Sequence, residues 1–413
     1  MAISGYNELV GRQAMRKMVQ VLAAIGGASA AVLGVIAGLL YAVLSWLGEG
    51  AGAGRVQSLA TSGVFIALGV GLGLPLAWTG LQALGGRPSR PLRWPRPGLL
   101  VLFFVLTLII GQAVLFVAPL PWLFFPPFYV LSVVLSVGVV LSLVGGRLAQ
   151  GGLVVTWREL LAQLGSGAFL GTVAAFTLEA VAIPILVLVV VTMLALVPGG
   201  LEWLETWLAA FRSPGRLVQP DWWLPLLRSP WVIGLVFLVT SGFAPAIEEA
   251  VKTLGVPLMG YRRPGRARAF LWGVAGGAGF TLVEGLLYGT LALANGRSWG
   301  LAIVARAGTG VSHCLGGGLV GLGWQALLSR RGWRGLGCYG LAVALHGLCN
   351  TLSLGVTLLS LLVMGYTDEM TWGLGSLGIL LIYALLGGLV VIELGLLMYI
   401  SRRLAGTGRT QGN

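Results

Sequence analysis

Charge is scarce in this sequence. Only 9% of its 413 residues are Asp, Glu, Lys or Arg, against about 25% in an ordinary soluble domain, so the chain cannot cover a water-facing surface. Long polar stretches are missing too, which leaves no room for a soluble domain of any size. Cysteine is down to Cys314, Cys338 and Cys349, all within or beside apolar segments, so a disulfide framework is not indicated. Histidine occurs only twice. What abounds is apolar: 57% of the residues are hydrophobic and the mean hydropathy is +0.93. Runs of 20 or more apolar residues recur from end to end, each long enough to cross a bilayer core of about 30 Å. The 66 glycines are usual in packed transmembrane helices. The composition predicts an all-α, polytopic helical membrane protein.

A net charge of +13 would suit nucleic acid, but the basic residues are not patterned for it. They sit in short clusters between apolar runs, the distribution that the positive-inside rule describes. Ten spans are expected, at 18–47, 57–85, 98–118, 124–146, 168–197, 231–260, 270–294, 300–328, 337–364 and 373–400. The first reads as an uncleaved span, its apolar run being longer than a signal-peptide core. With the N-terminus inside, 19 of the 26 basic residues fall on the cytoplasmic side, and an even span count leaves both termini there. Two connections are more than turns: 153–165 reads as a short interfacial amphipathic helix, and the Trp-rich 198–230 as an interface anchor. The character changes near residue 150. Residues 1–150 form a four-span region of unknown role, whose spans hold no Glu, Asp or His; 151–413 hold the polar residues on which a function could rest.

An ionisable side chain inside a bilayer costs at least a few kcal/mol, which makes each one a functional candidate. Of 13 acidic residues, five fall in expected spans: Glu179, Glu248, Glu249, Glu284 and Glu393. Both histidines, His313 and His346, fall there as well. At about 1.5 Å rise per residue, Glu248, Glu284, His313 and Asn350 lie roughly 18–22 Å from the cytoplasmic ends of four successive spans, and His346 roughly 13 Å. Polar groups on four helices thus share a depth.

Spacing adds chemistry. Lys252 can pair with Glu248 or with Glu249, which are four and three residues away, while the two glutamates point about 100° apart. Pro245 lies just upstream, where it would free a carbonyl and kink the helix. Phe280, Glu284 and Tyr288 form one stripe, and His346 and Asn350 share a face. Two neutral imidazoles and a carboxylate make a three-ligand set that leaves a zinc position open for water. A further carboxylate can act as general base and an Asn can donate to a developing oxyanion. Glu248, Glu284, His313, His346 and Asn350 supply these parts, and Lys252 would keep a Glu ionised. Phe280 and Tyr288 read as core packing, Cys349 as a small apolar filler, and Glu179, Arg306 and Glu393 as structural pairing between helices.

The motifs E-E-A-V-K at 248–252, F-T-L-V-E at 280–284, His313 in G-V-S-H-C-L-G-G-G and H-G-L-C-N at 346–350 resemble those of the PrsW-type intramembrane proteases. That family is related to the CAAX-processing and bacteriocin-processing membrane proteases, and the resemblance covers roughly residues 166–365. It implies a peptidase of the prokaryotic cell membrane, with Glu248 as the base that activates a metal-bound water and Glu249 as its structural partner with Lys252. It further implies a zinc ion held by Glu284, His313 and His346, and Asn350 steadying the oxyanion. The implied substrate is a membrane-anchored protein, such as an anti-sigma factor. Glu284 stands where CAAX-type enzymes have His, so a metal-free glutamate mechanism stands beside the metal one. Two other readings compete. A proton- or cation-coupled transporter could use the Glu, Lys and His cluster as a relay, though spans one to four carry no matching charges and no paired broken helices are evident. A catalytically inactive membrane scaffold is the third.

Overall fold

The computed structural model describes residues 2–47, 53–117, 121–197, 229–260, 264–291, 299–364 and 369–409, with the single residues 202, 205 and 293. All elements among them are helical. In chain order they are α1 (Ala2–Leu47), α2 (Ala53–Ile66), α3 (Leu74–Leu84), α4 (Pro97–Val117), α5 (Pro121–Gln150), α6 (Trp157–Gly165), α7 (Thr172–Ala195), α8 (Pro230–Phe237), α9 (Ala244–Val251), α10 (Gly255–Leu258), α11 (Arg266–Leu291), α12 (Trp299–Leu328), α13 (Gly332–Met364) and α14 (Glu369–Arg409). Short π-helical turns at Ala67–Gly73, Ser166–Gly171 and Leu238–Phe243 join α2 to α3, α6 to α7 and α8 to α9. Two of the three run directly into a proline, Pro75 and Pro245. A proline inside a helix lacks its N–H and crowds the carbonyl four residues back, and the wider π turn makes room for the ring.

Among the described residues nine helical stretches are long and apolar enough to span a membrane. They coincide with nine of the ten expected spans. The remaining one, 300–328, is the helix α12, whose eight glycines and Arg306 lower its hydropathy. The amphipathic stretch at 153–165 is a helix from Trp157, capped by the Thr156 hydroxyl, which accepts a hydrogen bond from the Glu159 N–H. It does not stop before the next span but continues through the π turn at 166–171 into α7, because no Pro or αL glycine interrupts the ladder. Of the segment 198–230, all but Glu202, Glu205, Ser229 and Pro230 lies outside the described residues.

The chain divides into two compact units. The first comprises residues 1–173, 249–342 and 392–413, the second 174–248 and 343–391. In the first, α1 packs along α2 and α3, α4 along α5, and α11 along α12, α5 and α6. Its core includes Phe125, Tyr129, Leu286 and Trp299; the Tyr129 hydroxyl donates to the Leu286 carbonyl, anchoring α5 to α11. The seam between α11 and α12 is glycine against glycine. A methyl on Gly273 would strike the Gly317 carbonyl, and one on Gly277 the His313 carbonyl. Such small-residue contacts let two membrane helices approach at backbone distance. Every residue of α12 from Gly310 to Gly321 is buried in consequence. In the second unit, Cys349 and Leu345 of α13 pack against Leu386 and Leu389 of α14. The long sides of α14 expose Leu377, Leu380, Leu381 and Ile392, the apolar surface that a helix presents to lipid.

Candidate active site

The first motif begins with a backbone problem. In the π turn at 238–243 each N–H bonds five residues back, as the Ala244 N–H does to the Val239 carbonyl. The next donor in that register would be residue 245, a proline with no N–H. The Thr240 carbonyl is therefore left without its helical partner, and in a membrane such a group must be satisfied internally. The Asn350 side chain supplies the bond: its Nδ2–H donates to the Thr240 carbonyl at 2.9 Å. Gly347, one turn earlier on α13, has no Cβ to collide with the neighbouring Ser241 carbonyl. All these groups belong to the second unit. In the same unit Glu248 Oε2 lies 3.6 Å from His346 Nε2, and the imidazole is buried.

The boundary between the units falls between Glu248 and Glu249. Glu249 belongs to the first unit and takes Lys252 as its ion-pair partner, both side chains fully buried. Of the two pairings the spacing allowed Lys252, this is the one formed. The glycines after His313 have a role here: a Cβ on Gly316 would lie 2.7 Å from Glu249 Oε2, so the carboxylate rests on α12 where a side chain is missing.

Helices α11 and α12 run antiparallel, and the stripe Phe280, Glu284, Tyr288 on α11 is read in reverse by His313 and Arg306 on α12. Phe280 and His313 have ring centroids 5.5 Å apart. Glu284 Oε2 lies 2.7 Å from His313 Nε2, while its other oxygen lies 3.2 Å from an Arg306 nitrogen. The Arg306 guanidinium stands 5.5 Å over the Tyr288 ring, a favourable cation–π geometry. Phe280 and Tyr288, read as packing residues, thus frame the polar pair. The sequence reading gives Arg306 only to helix pairing, although its spacing of seven from His313 puts both on one face and ties it to the Glu284 pair. Directly before His313, the Ser312 hydroxyl donates to Glu393 at 3.0 Å, and Glu393 is fully buried. Nothing in the local sequence links those two residues, which lie 81 positions apart.

Each of the two histidines therefore stands beside a carboxylate, His313 with Glu284 in the first unit and His346 with Glu248 in the second. Imidazole nitrogen with carboxylate oxygen is a donor set that suits zinc. A carboxylate on one ring nitrogen also fixes which nitrogen of the imidazole remains for a ligand. Each unit thus contributes two donors of the kind that zinc takes.

No curated protein and no solved structure matches the chain. A family model does: residues 220–396 match the one described as PrsW family intramembrane metalloprotease. That interval contains all four motifs, so this part of the chain is similar to the PrsW-type intramembrane proteases, and the match supports peptidase activity.

Proposed function

We propose that the chain hydrolyses a peptide bond of a membrane-anchored protein with a zinc ion held by Glu284, His313 and His346. The observation that carries this reading is the pairing of the only two histidines with buried or half-buried carboxylates on apolar helices. When bound, the metal would polarise the scissile carbonyl and lower the pKa of water. Glu248 takes the proton from the attacking water and passes it to the leaving amine, the general-base and general-acid roles of one carboxylate. Glu249 with Lys252 fixes the helix that carries Glu248. Asn350 uses one amide hydrogen on Thr240, and its second can meet the oxyanion that forms as the carbonyl is attacked. Arg306 holds the second oxygen of Glu284 and so keeps that carboxylate aimed at α12. The resemblance extends the substrate class to membrane-anchored regulators such as anti-sigma factors, and the location to a prokaryotic cytoplasmic membrane.

Metal analysis of the detergent-purified protein tests the ligands, and co-expression with a panel of single-span reporter proteins tests the chemistry. Wild type is expected to hold near-stoichiometric zinc, and His313→Ala and His346→Ala to lose it. Glu248→Gln should keep the metal and cleave nothing; undiminished cleavage by that variant would remove Glu248 from the role of base. Glu284→Gln separates two functions of its carboxylate: loss of zinc marks a ligand, whereas retained zinc marks the group that orients His313. A wild-type protein that cleaves without metal would leave the glutamate mechanism.

A further inference from the structure

A second polar feature lies away from these motifs, at one end of the helices in the first unit. A cavity of about 590 Å³ opens where α11 and α13 begin and α12 ends. Every charged side chain lining it is an arginine: Arg266, the first residue of α11, and Arg331 and Arg334 at the start of α13. Gln325 and Ser329 add neutral polar groups, and Leu322 and Leu341 make the walls apolar. Three guanidinium groups around one space repel one another unless an anion lies among them. The first turns of both helices lack an acidic residue, so no side chain there offsets the positive helix ends.

The backbone holds this arrangement in an unfavourable form. Arg330 has φ +56°, where an L residue is disfavoured by roughly 1–2 kcal/mol. It occupies the place that glycine usually fills after a helix: the Arg331 N–H donates to the Ala326 carbonyl and the Arg330 N–H to Leu327. The tight reversal sets Arg331 at the head of α13, three residues before Arg334, so both reach the same side. Between them Trp333 is 88% exposed, the position of an aromatic residue at the headgroup level of a bilayer.

We propose that this cavity binds a phosphate group, with the arginines taking its oxygens and the apolar walls taking the start of an acyl chain. Guanidinium forks match phosphate in paired hydrogen bonds. The volume falls within the range of about 300–1,000 Å³ common to small-molecule sites, larger than a bare anion needs. The ligand class is an anionic phospholipid such as phosphatidylglycerol, held in a basic pocket between membrane helices. Free phosphate shares the headgroup chemistry, and the experiment distinguishes the two.

The full-length protein is delipidated in detergent and exposed separately to phosphatidylglycerol, phosphatidylcholine, inorganic phosphate and an acidic peptide, and bound species are counted by native mass spectrometry. Wild type should retain phosphatidylglycerol, and the Arg266→Gln/Arg331→Gln/Arg334→Gln variant should bind it about a hundredfold less, the scale expected for three basic contacts. Arg402→Gln/Arg403→Gln, which removes two exposed charges elsewhere, should bind as wild type. If the triple variant fails to fold by circular dichroism, the single Arg334→Gln carries the comparison with a smaller loss. Retention of inorganic phosphate alone, lost in the same variants, supports the site with the free anion as its source. Phosphatidylglycerol bound no better than phosphatidylcholine, bound equally by the arginine variants, or outcompeted by the acidic peptide overturns the proposal.

Discussion

Asn350 has a structural job beside the one proposed for it at the oxyanion, and the structural one can be measured without a substrate. Its hydrogen bond to the Thr240 carbonyl replaces a donor that Pro245 cannot provide. Asn350→Ala would leave a carbonyl unsatisfied within an apolar helix, at about 1–3 kcal/mol. Thermal unfolding in detergent should show that loss as a lowered midpoint, with helix content at low temperature unchanged. An unaltered midpoint would mean that the carbonyl finds another donor and that Asn350 is free for chemistry alone. Legibility at this scale followed the kind of partner involved. The spacing offered Lys252 two local partners, Glu248 and Glu249, and the pair with Glu249 is set by the fold. Arg306 and His313 share a face that the sequence displays. The bond from Asn350 to Thr240 could not be seen, since it depends on a π turn that moves the orphaned carbonyl by one residue. The Ser312 bond to Glu393 joins two helices whose register only the folded chain sets.

Single elements show how glycine placement supports the polar groups. Gly316 has no side chain where the Glu249 carboxylate rests, and Gly277 has none where the backbone at His313 passes. Gly316→Ala is expected to force the Glu249 carboxylate aside, at about 1–3 kcal/mol of overpacking. Proteolysis should fall further than the shift in unfolding midpoint explains, because the displaced group anchors the helix bearing Glu248. Gly340 is the control: nothing lies within 4 Å of its would-be Cβ, and Gly340→Ala should be neutral or slightly stabilising. At the turn between α12 and α13 the expected sign reverses. Arg330→Gly relieves the positive φ and should stabilise the protein by roughly 0.5–1 kcal/mol, after the added freedom of glycine in the unfolded chain is subtracted. A lower midpoint for this variant would show that the Arg330 side chain, and not its backbone, holds the turn. Apolar run lengths were enough to place the helices, but not to reveal that α6 continues through a π turn into α7. The run there reads as two segments because its first nine residues carry polar groups toward the protein.

For the whole molecule, the open quantity is the number of crossings, which decides on which sides the termini lie. Among the described residues nine helices are as apolar as helices that face lipid, and nine crossings would put the ends on opposite sides. Helix α12 should be counted with them. Its 30 residues extend about 45 Å, more than the bilayer core, and its middle is enclosed by protein from Gly310 to Gly321. A helix shielded in this way need not be apolar on every side to cross a membrane. Ten crossings return the C-terminus to the side of the N-terminus, and that arrangement also gathers 19 of 26 basic residues on one face. Reporter domains that are active only in the cytoplasm, fused separately to the two ends, should both be active. Activity at the N-terminal fusion alone would mean nine crossings, and α12 would then enter the bilayer without traversing it. His313 and Arg306 would in that case be reached from water along a re-entrant helix, and their shared depth with Glu248 would no longer mark a site within the bilayer.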